Sequence, residues 1–151
     1  MSDPLCYIAL CETNDVALNF QIKHFLKLAQ QKNWQQDDKV FIAKIDNKVI
    51  GFARFVTVTS NHFWLRGLFV LDEYRRQGIA AKLIKFSHQK LAPESSNEVK
   101  ISCFPLDHLH DFYHRLGYQT TLADNLPETL ALRYKQAQKD GKTWLLMQTT
   151  L

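Results

Sequence analysis

Apolar positions recur every three or four residues between 14 and 33, at Leu18, Ile22, Phe25, Leu26 and Ala29, which predicts a helix there with Asn14 or Asp15 as its N-cap. Ahead of it, residues 6 to 10 (CYIAL) read as a short strand. The pattern then changes period. VFIAKI and VIGFARFVTV, between residues 39 and 58, are rich in β-branched and aromatic residues and flank the turn chemistry of Asp46-Asn47-Lys48. Ser60-Asn61 marks a second turn before HFWLRGLFVL, so three consecutive antiparallel strands are expected.

From Gln77 to Leu91 the helical period returns. Ile79, Ala80, Leu83, Ile84, Ser87 and Leu91 fall on one face, Lys82, Lys85 and Gln89 on the other, and Pro93 follows the end. VKISCF (99 to 104) is a strand whose connection to the third strand runs through that helix, an order that implies parallel pairing or near it. Further helices are expected from Asp107, as N-cap, to Leu116 with Gly117 stopping it, and over residues 127 to 138 from Pro127. After Asp140-Gly141, TWLLMQTTL closes the chain as a strand. The fold class is α+β: a mixed, mostly antiparallel sheet carrying helices.

Length and composition change this picture little. A chain of 151 residues is expected to form one domain, and 46% hydrophobic with 23% charged residues is ordinary globular composition. No basic and apolar leader opens it and no apolar run reaches membrane-spanning length, so a cytoplasmic protein without membrane contact is expected. Cys6, Cys11 and Cys103 have no paired-motif spacing; reduced structural thiols and no metal are expected.

Charge changes it more. Of the net +4, all lies between residues 66 and 90, where six bases (Arg66, Arg75, Arg76, Lys82, Lys85, Lys90) meet two acids (Asp72, Glu73). A nucleic-acid binder spreads a basic stripe over a face; one concentrated patch suits a compact polyanionic ligand instead. The patch centres on LFVLDEYRRQGIAAKLI, a strand, a short loop, and the string Arg-x-x-Gly-x-Ala opening a helix. A helix N-terminus offers unpaired amides and partial positive charge, Gly78 lets backbone approach a bulky anion, Ala80 keeps a neighbouring position small, and Arg75 and Arg76 add attraction. The plain alternative is a helix start with surface arginines. Neither a Walker A loop nor a dinucleotide fingerprint is present.

The stretch resembles motif A of the GNAT superfamily of acyl-CoA-dependent N-acetyltransferases, R/Q-x-x-G-x-G/A, with Arg75, Gly78 and Ala80 in its three positions. Leu68 and Val70 match the preceding strand, whereas Asp72 stands where proline is common, and FYHRLGY (Phe112 to Tyr118) is similar to the family's FYxxLGF element. The resemblance implies a GNAT-like sheet of about six to seven strands with helices on both faces. It implies acetyl-CoA as co-substrate, its pyrophosphate held by Arg75, Arg76, Gln77, Gly78, Ile79, Ala80 and Ala81. Its pantetheine arm would pair with the main chain of Leu68, Phe69 and Val70. Tyr113 takes the place of the family's general acid toward the departing thiolate, its alternative being a helix tyrosine packed beside Phe112.

A general base is harder to find, because HFWLRGLFV holds no Asp or Glu. His62 is the candidate, against a reading as a surface histidine at a strand end. His110 and His114 share a helix face without a third metal ligand. The family's asparagine after the fifth strand is missing; Leu106 fills its place, next to Asp107. Phe20, His24, Trp34, Phe63, Trp64 and Arg66 are candidates to line the pocket of a small-molecule or peptide amine acceptor. A non-catalytic acyl-CoA-binding sensor or interaction module is the alternative function. The family also makes a homodimer an open expectation, with the C-terminal strand as an edge or exchanged element.

Overall fold

A computed structural model describes residues 9–12, 16–28, 30, 35, 37–95 and 97–151. Asn14, Asp15, Trp34 and Cys6 lie outside the described residues. Among those described, seven strands form one sheet: β1 (Ala9–Glu12), β2 (Lys39–Ile45), β3 (Lys48–Thr59), β4 (His62–Val70), β5 (Lys100–Cys103), β6 (Gln119–Thr120) and β7 (Met147–Thr150), in the order β1-β2-β3-β4-β5-β7-β6. The helices are α1 (Val16–Leu28), α2 (Ile79–Leu91), α3 (His110–Arg115) and α4 (Glu128–Lys139). None of the described helices is long and apolar enough to cross a membrane. Two compact units are distinguished, one built on the chain up to Phe55 with Gly67–Lys90, the other on Val56–Arg66 with Leu91–Leu151.

In the first unit β1 and β2 pair antiparallel, as do β2 and β3, with a bulge at Ala43/Lys44. The β2–β3 turn has positive φ at both Asp46 (48°) and Asn47 (65°), the two-residue hairpin geometry that Asp and Asn tolerate best. Ile22, Phe25 and Leu26 of α1 pack on Val40, Ile42, Val49 and Phe52, while Ile79 of α2 joins Ala43, Ile50 and Val70. The expected face of α2 is the buried one: Ile79, Leu83, Ile84, Ser87 and Leu91 are inside, Lys82, Lys85 and Gln89 outside. Arg54 of β3 donates from Nε to Asp38 at 2.6 Å, a buried ion pair.

In the second unit β4 runs parallel to β5 over His62–Leu65 and Lys100–Cys103, as the helical crossover requires. β7 pairs antiparallel with β5 on one side and with the two-residue β6 on the other. The C-terminal strand is therefore interior to the sheet order, not an edge, because both its ladders are taken up within the chain. Residues 107 to 116 do not form one helix capped by Asp107: a 3-10 turn (Asp107–Leu109) precedes α3, whose N-cap is Leu109. Gly117 ends α3 at φ +96°, with Gly117 and Tyr118 amides bonding to the His114 and Tyr113 carbonyls.

Candidate active site

The first unit holds the basic loop. After β4 the chain makes a 3-10 turn (Asp72–Tyr74), extends at Arg75, turns left-handed at Arg76 (φ +63°) and again at Gly78 (φ +79°), and enters α2. The Gly78 carbonyl accepts the first bond of α2, from the Lys82 amide at 3.0 Å. The amides at the head of α2 thus have no acceptor inside the helix, and the helix start carries partial positive charge. A Cβ built on Gly78 meets nothing within 4 Å, so the backbone there lies open to an incoming group. These features fit a diphosphate: bare amides, helix polarity and an unobstructed approach.

The two arginines have different surroundings. Arg75 is engaged by its own neighbours: Nε donates to the Val70 carbonyl at 2.8 Å, Nη1 reaches Asp72 at 2.8 Å, and the guanidinium lies 4.9 Å over the Phe69 ring. Arg76 is exposed. Ile79 and Val70 are buried, fastening both ends of the loop, whereas Leu68, Phe69, Gln77, Ala80 and Ala81 are half-buried. The ladder between β4 and β5 covers only His62–Leu65, so Leu68, Phe69 and Val70 lie beyond it.

The second unit holds Tyr113, His62 and a cleft. Tyr113 is buried, edge-on to Phe112 (centroids 5.0 Å apart) and to Tyr118 (5.5 Å). Burial, with the Cys103 thiol beside it, pushes its phenol well above the usual value, so it stays protonated at any physiological pH. His62 is not a surface residue at a strand end. It is 5% exposed, and Nε2 lies 2.7 Å from the Ser102 hydroxyl, which also accepts from Gln148 at 3.2 Å. Burial, reinforced by Lys100, lowers its pKa to about 4.

The cleft, of about 590 Å³, is walled by Trp64 and Arg66 of β4, Phe104 beyond β5, Arg133 and Asp140 at α4, and Trp144. Trp64 and Arg66 were expected in a pocket; Arg133, Asp140 and Trp144 were not singled out, since only tertiary folding brings α4 beside β4. Leu106 also lines it. Phe63 is instead a core residue, and Phe20 and His24 are exposed on α1. His110 and His114 stack at 5.6 Å, His110 bonding to Asp111, and no group of three metal-ligating side chains occurs among the described residues.

The model of the acetyltransferase (GNAT) domain matches residues 36–120. That is more than half of the chain, which therefore belongs to the GNAT acetyltransferase family. An uncharacterized N-acetyltransferase of Chlorobaculum tepidum is 30% identical over 90 residues, 60% of this chain and 56% of that relative. The chain thus spans about half the length of that curated relative. Among solved structures, N-acetylglutamate synthase from Neisseria gonorrhoeae, complexed with coenzyme A and N-acetyl-glutamate, superposes with a TM-score of 0.67 at 14% identity, over 96% of this chain and 35% of that one. An aminoglycoside 6′-N-acetyltransferase complexed with coenzyme A gives 0.66 at 15% identity, over 94% and 96%. At such identities the likeness is one of fold.

Proposed function

We propose that this protein transfers an acetyl group from acetyl-CoA to a primary amine by direct attack in a complex that holds both substrates. The observation that carries the reading is the loop from Arg75 to Gly78: two left-handed residues, bare amides and an open approach, at the head of an amphipathic helix. In this reading the amides of Arg76 to Ala81 hold the pyrophosphate, with Arg76 adding charge and Arg75 shaping the loop. The main chain of Leu68, Phe69 and Val70 pairs with the pantetheine arm. Solved relatives of this fold were captured with coenzyme A, which supports the assignment.

Acetyl-CoA, when bound, supplies an activated carbonyl and a thiolate leaving group. The amine nitrogen, arriving as the free base, forms a bond to that carbonyl carbon as the carbon–sulfur bond breaks and its electron pair leaves on sulfur. The N–H proton it gives up passes to water, and water returns one to the thiolate. Tyr113 keeps its proton through the neutral range and donates a hydrogen bond to the departing thiolate. A phenol this buried is a weaker acid than a thiol, so stabilisation of the developing charge precedes any full transfer. His62 is the weaker assignment. A ring with a pKa of about 4 is neutral at pH 7, but draws poorly on an ammonium proton. Its contact with Ser102 suits it to positioning the β4–β5 ladder.

A second reading, a CoA-binding module without turnover, is favoured by one observation: β4 carries no carboxylate and its histidine is buried. Release of free thiol from acetyl-CoA over a panel of primary amines separates the two. Amine-dependent release supports transfer. Binding of acetyl-CoA with no release on any amine would replace the enzyme by the module.

A further inference from the structure

The cleft in the second unit has a chemistry that acetyl transfer alone does not require. Its centre is Trp64, over whose ring lie the Arg66 guanidinium at 4.8 Å and the Arg133 guanidinium at 5.5 Å. Each guanidinium carries a planar fork of N–H donors that matches a carboxylate bidentately, and an aromatic ring beneath it leaves that charge in place. The floor is rigid. Phe104 lies 5.2 Å from both Trp64 and Tyr134, the Tyr134 hydroxyl donates to the Trp144 carbonyl at 3.1 Å, and the Leu145 amide donates to the Pro105 carbonyl at 2.8 Å. Asp140, held by Gln136 at 3.0 Å, is the one acid among the lining residues. A smaller cleft of about 200 Å³, toward Val56 and Thr129, shares Trp64, Arg66 and Arg133, so the arginine pair is approached from two sides.

Arg133, Asp140 and three aromatic rings select for sign as well as shape. A polyamine or aminoglycoside would bring several positive charges against Arg133. An amino acid brings a carboxylate for Arg133, an ammonium for Asp140 and an apolar body for the rings. We infer that this cleft binds an amine acceptor that itself carries a carboxylate on an apolar or aromatic body, with Arg133 as its principal anchor. The inference rests on the acetyl-transfer reading for its function, but not for its binding.

Matched pairs test it: L-phenylalanine against phenethylamine, L-tryptophan against tryptamine, and L-leucine against isoamylamine, each pair differing only in the carboxylate. Binding without acetyl-CoA is read by calorimetry, turnover by thiol release, and acetyl-CoA affinity separately by calorimetry. The acid should exceed its partner about tenfold or more in affinity and in kcat/KM, the size of one charge-assisted pair. Arg133→Gln should bring the ratio to near one, Arg133→Lys should keep part of it, and both should leave acetyl-CoA affinity unchanged. Partners equal to or better than the acids in every pair, no binding by any acid, or a preference for an aminoglycoside would overturn the inference. Failure of acetyl-CoA to bind, with the acids still bound, would overturn the transferase reading alone.

Discussion

Arg75 donates from Nε to the carbonyl oxygen of Val70 at 2.8 Å, so the first arginine of the basic loop fastens that loop to the end of β4. Its second bond, to Asp72, joins side chains 49% and 85% exposed, and an ion pair so wet contributes little. Arg75→Ala should therefore weaken acetyl-CoA binding about tenfold, the scale of one lost charged hydrogen bond. Asp72→Asn should leave it within about twofold. Calorimetric titration of both variants checks this; equal losses would mean that the ion pair, not the carbonyl bond, shapes the loop.

Tyr113→Phe removes a hydroxyl and keeps a ring whose edge-on contacts with Phe112 and Tyr118 hold α3 in place. Thermal stability and acetyl-CoA affinity should change little, while kcat falls about 10²-fold or somewhat less, the lower range for a lost proton donor. An unchanged kcat would remove Tyr113 from the chemistry.

His62 makes stability depend on pH. Its folded pKa of about 4 lies below the ordinary 6.5, so between these values the unfolded chain binds the extra proton. Stability should rise with pH across that window and flatten above it, for a total of about 2–3 kcal/mol. Burial lowers the pKa of His88 on α2 as well, and adds to the same slope. Denaturant midpoints from pH 4 to 7.5, for wild type and His62→Gln, should show a shallower slope in the variant. Identical slopes would place the titration elsewhere.

Asp38 and Arg54 have side chains only 3% and 7% exposed, and their partnership spans 16 positions in sequence. Asp38→Ala strands a buried guanidinium and should cost about 3–5 kcal/mol in urea unfolding, whereas a loss under about 1 kcal/mol would show that water reaches Arg54.

Legibility in the sequence followed the range of the interactions. The β2–β3 hairpin, with left-handed Asp46 and Asn47, and the buried stripe of α2 are local patterns, and the periodicity predicts both. The basic loop was legible because charge, glycine and helix start are contiguous. What failed was non-local. His62 reads as a strand-end surface residue, yet Ser102, 40 positions away, closes over it. Asp107 has the chemistry of an N-cap, but the chain spends it on a 3-10 turn. Arg133 and Asp140 look like the solvated face of a helix until α4 is folded against Trp64. β6, two residues long, has no period to detect.

The cradle itself has the most direct test. At Gly78 a side chain meets no atom of the protein within 4 Å, so Gly78→Glu costs the fold only the strain of φ +79°, about 1–2 kcal/mol. It sets a carboxylate where the pyrophosphate would lie. Titrating acetyl-CoA into wild type and Gly78→Glu by calorimetry, with thermal unfolding of both as a control, should give one saturable site in the wild type and none in a still-folded variant. Acetyl-CoA binding that survives the substitution would contradict the assignment of this loop as the coenzyme A site.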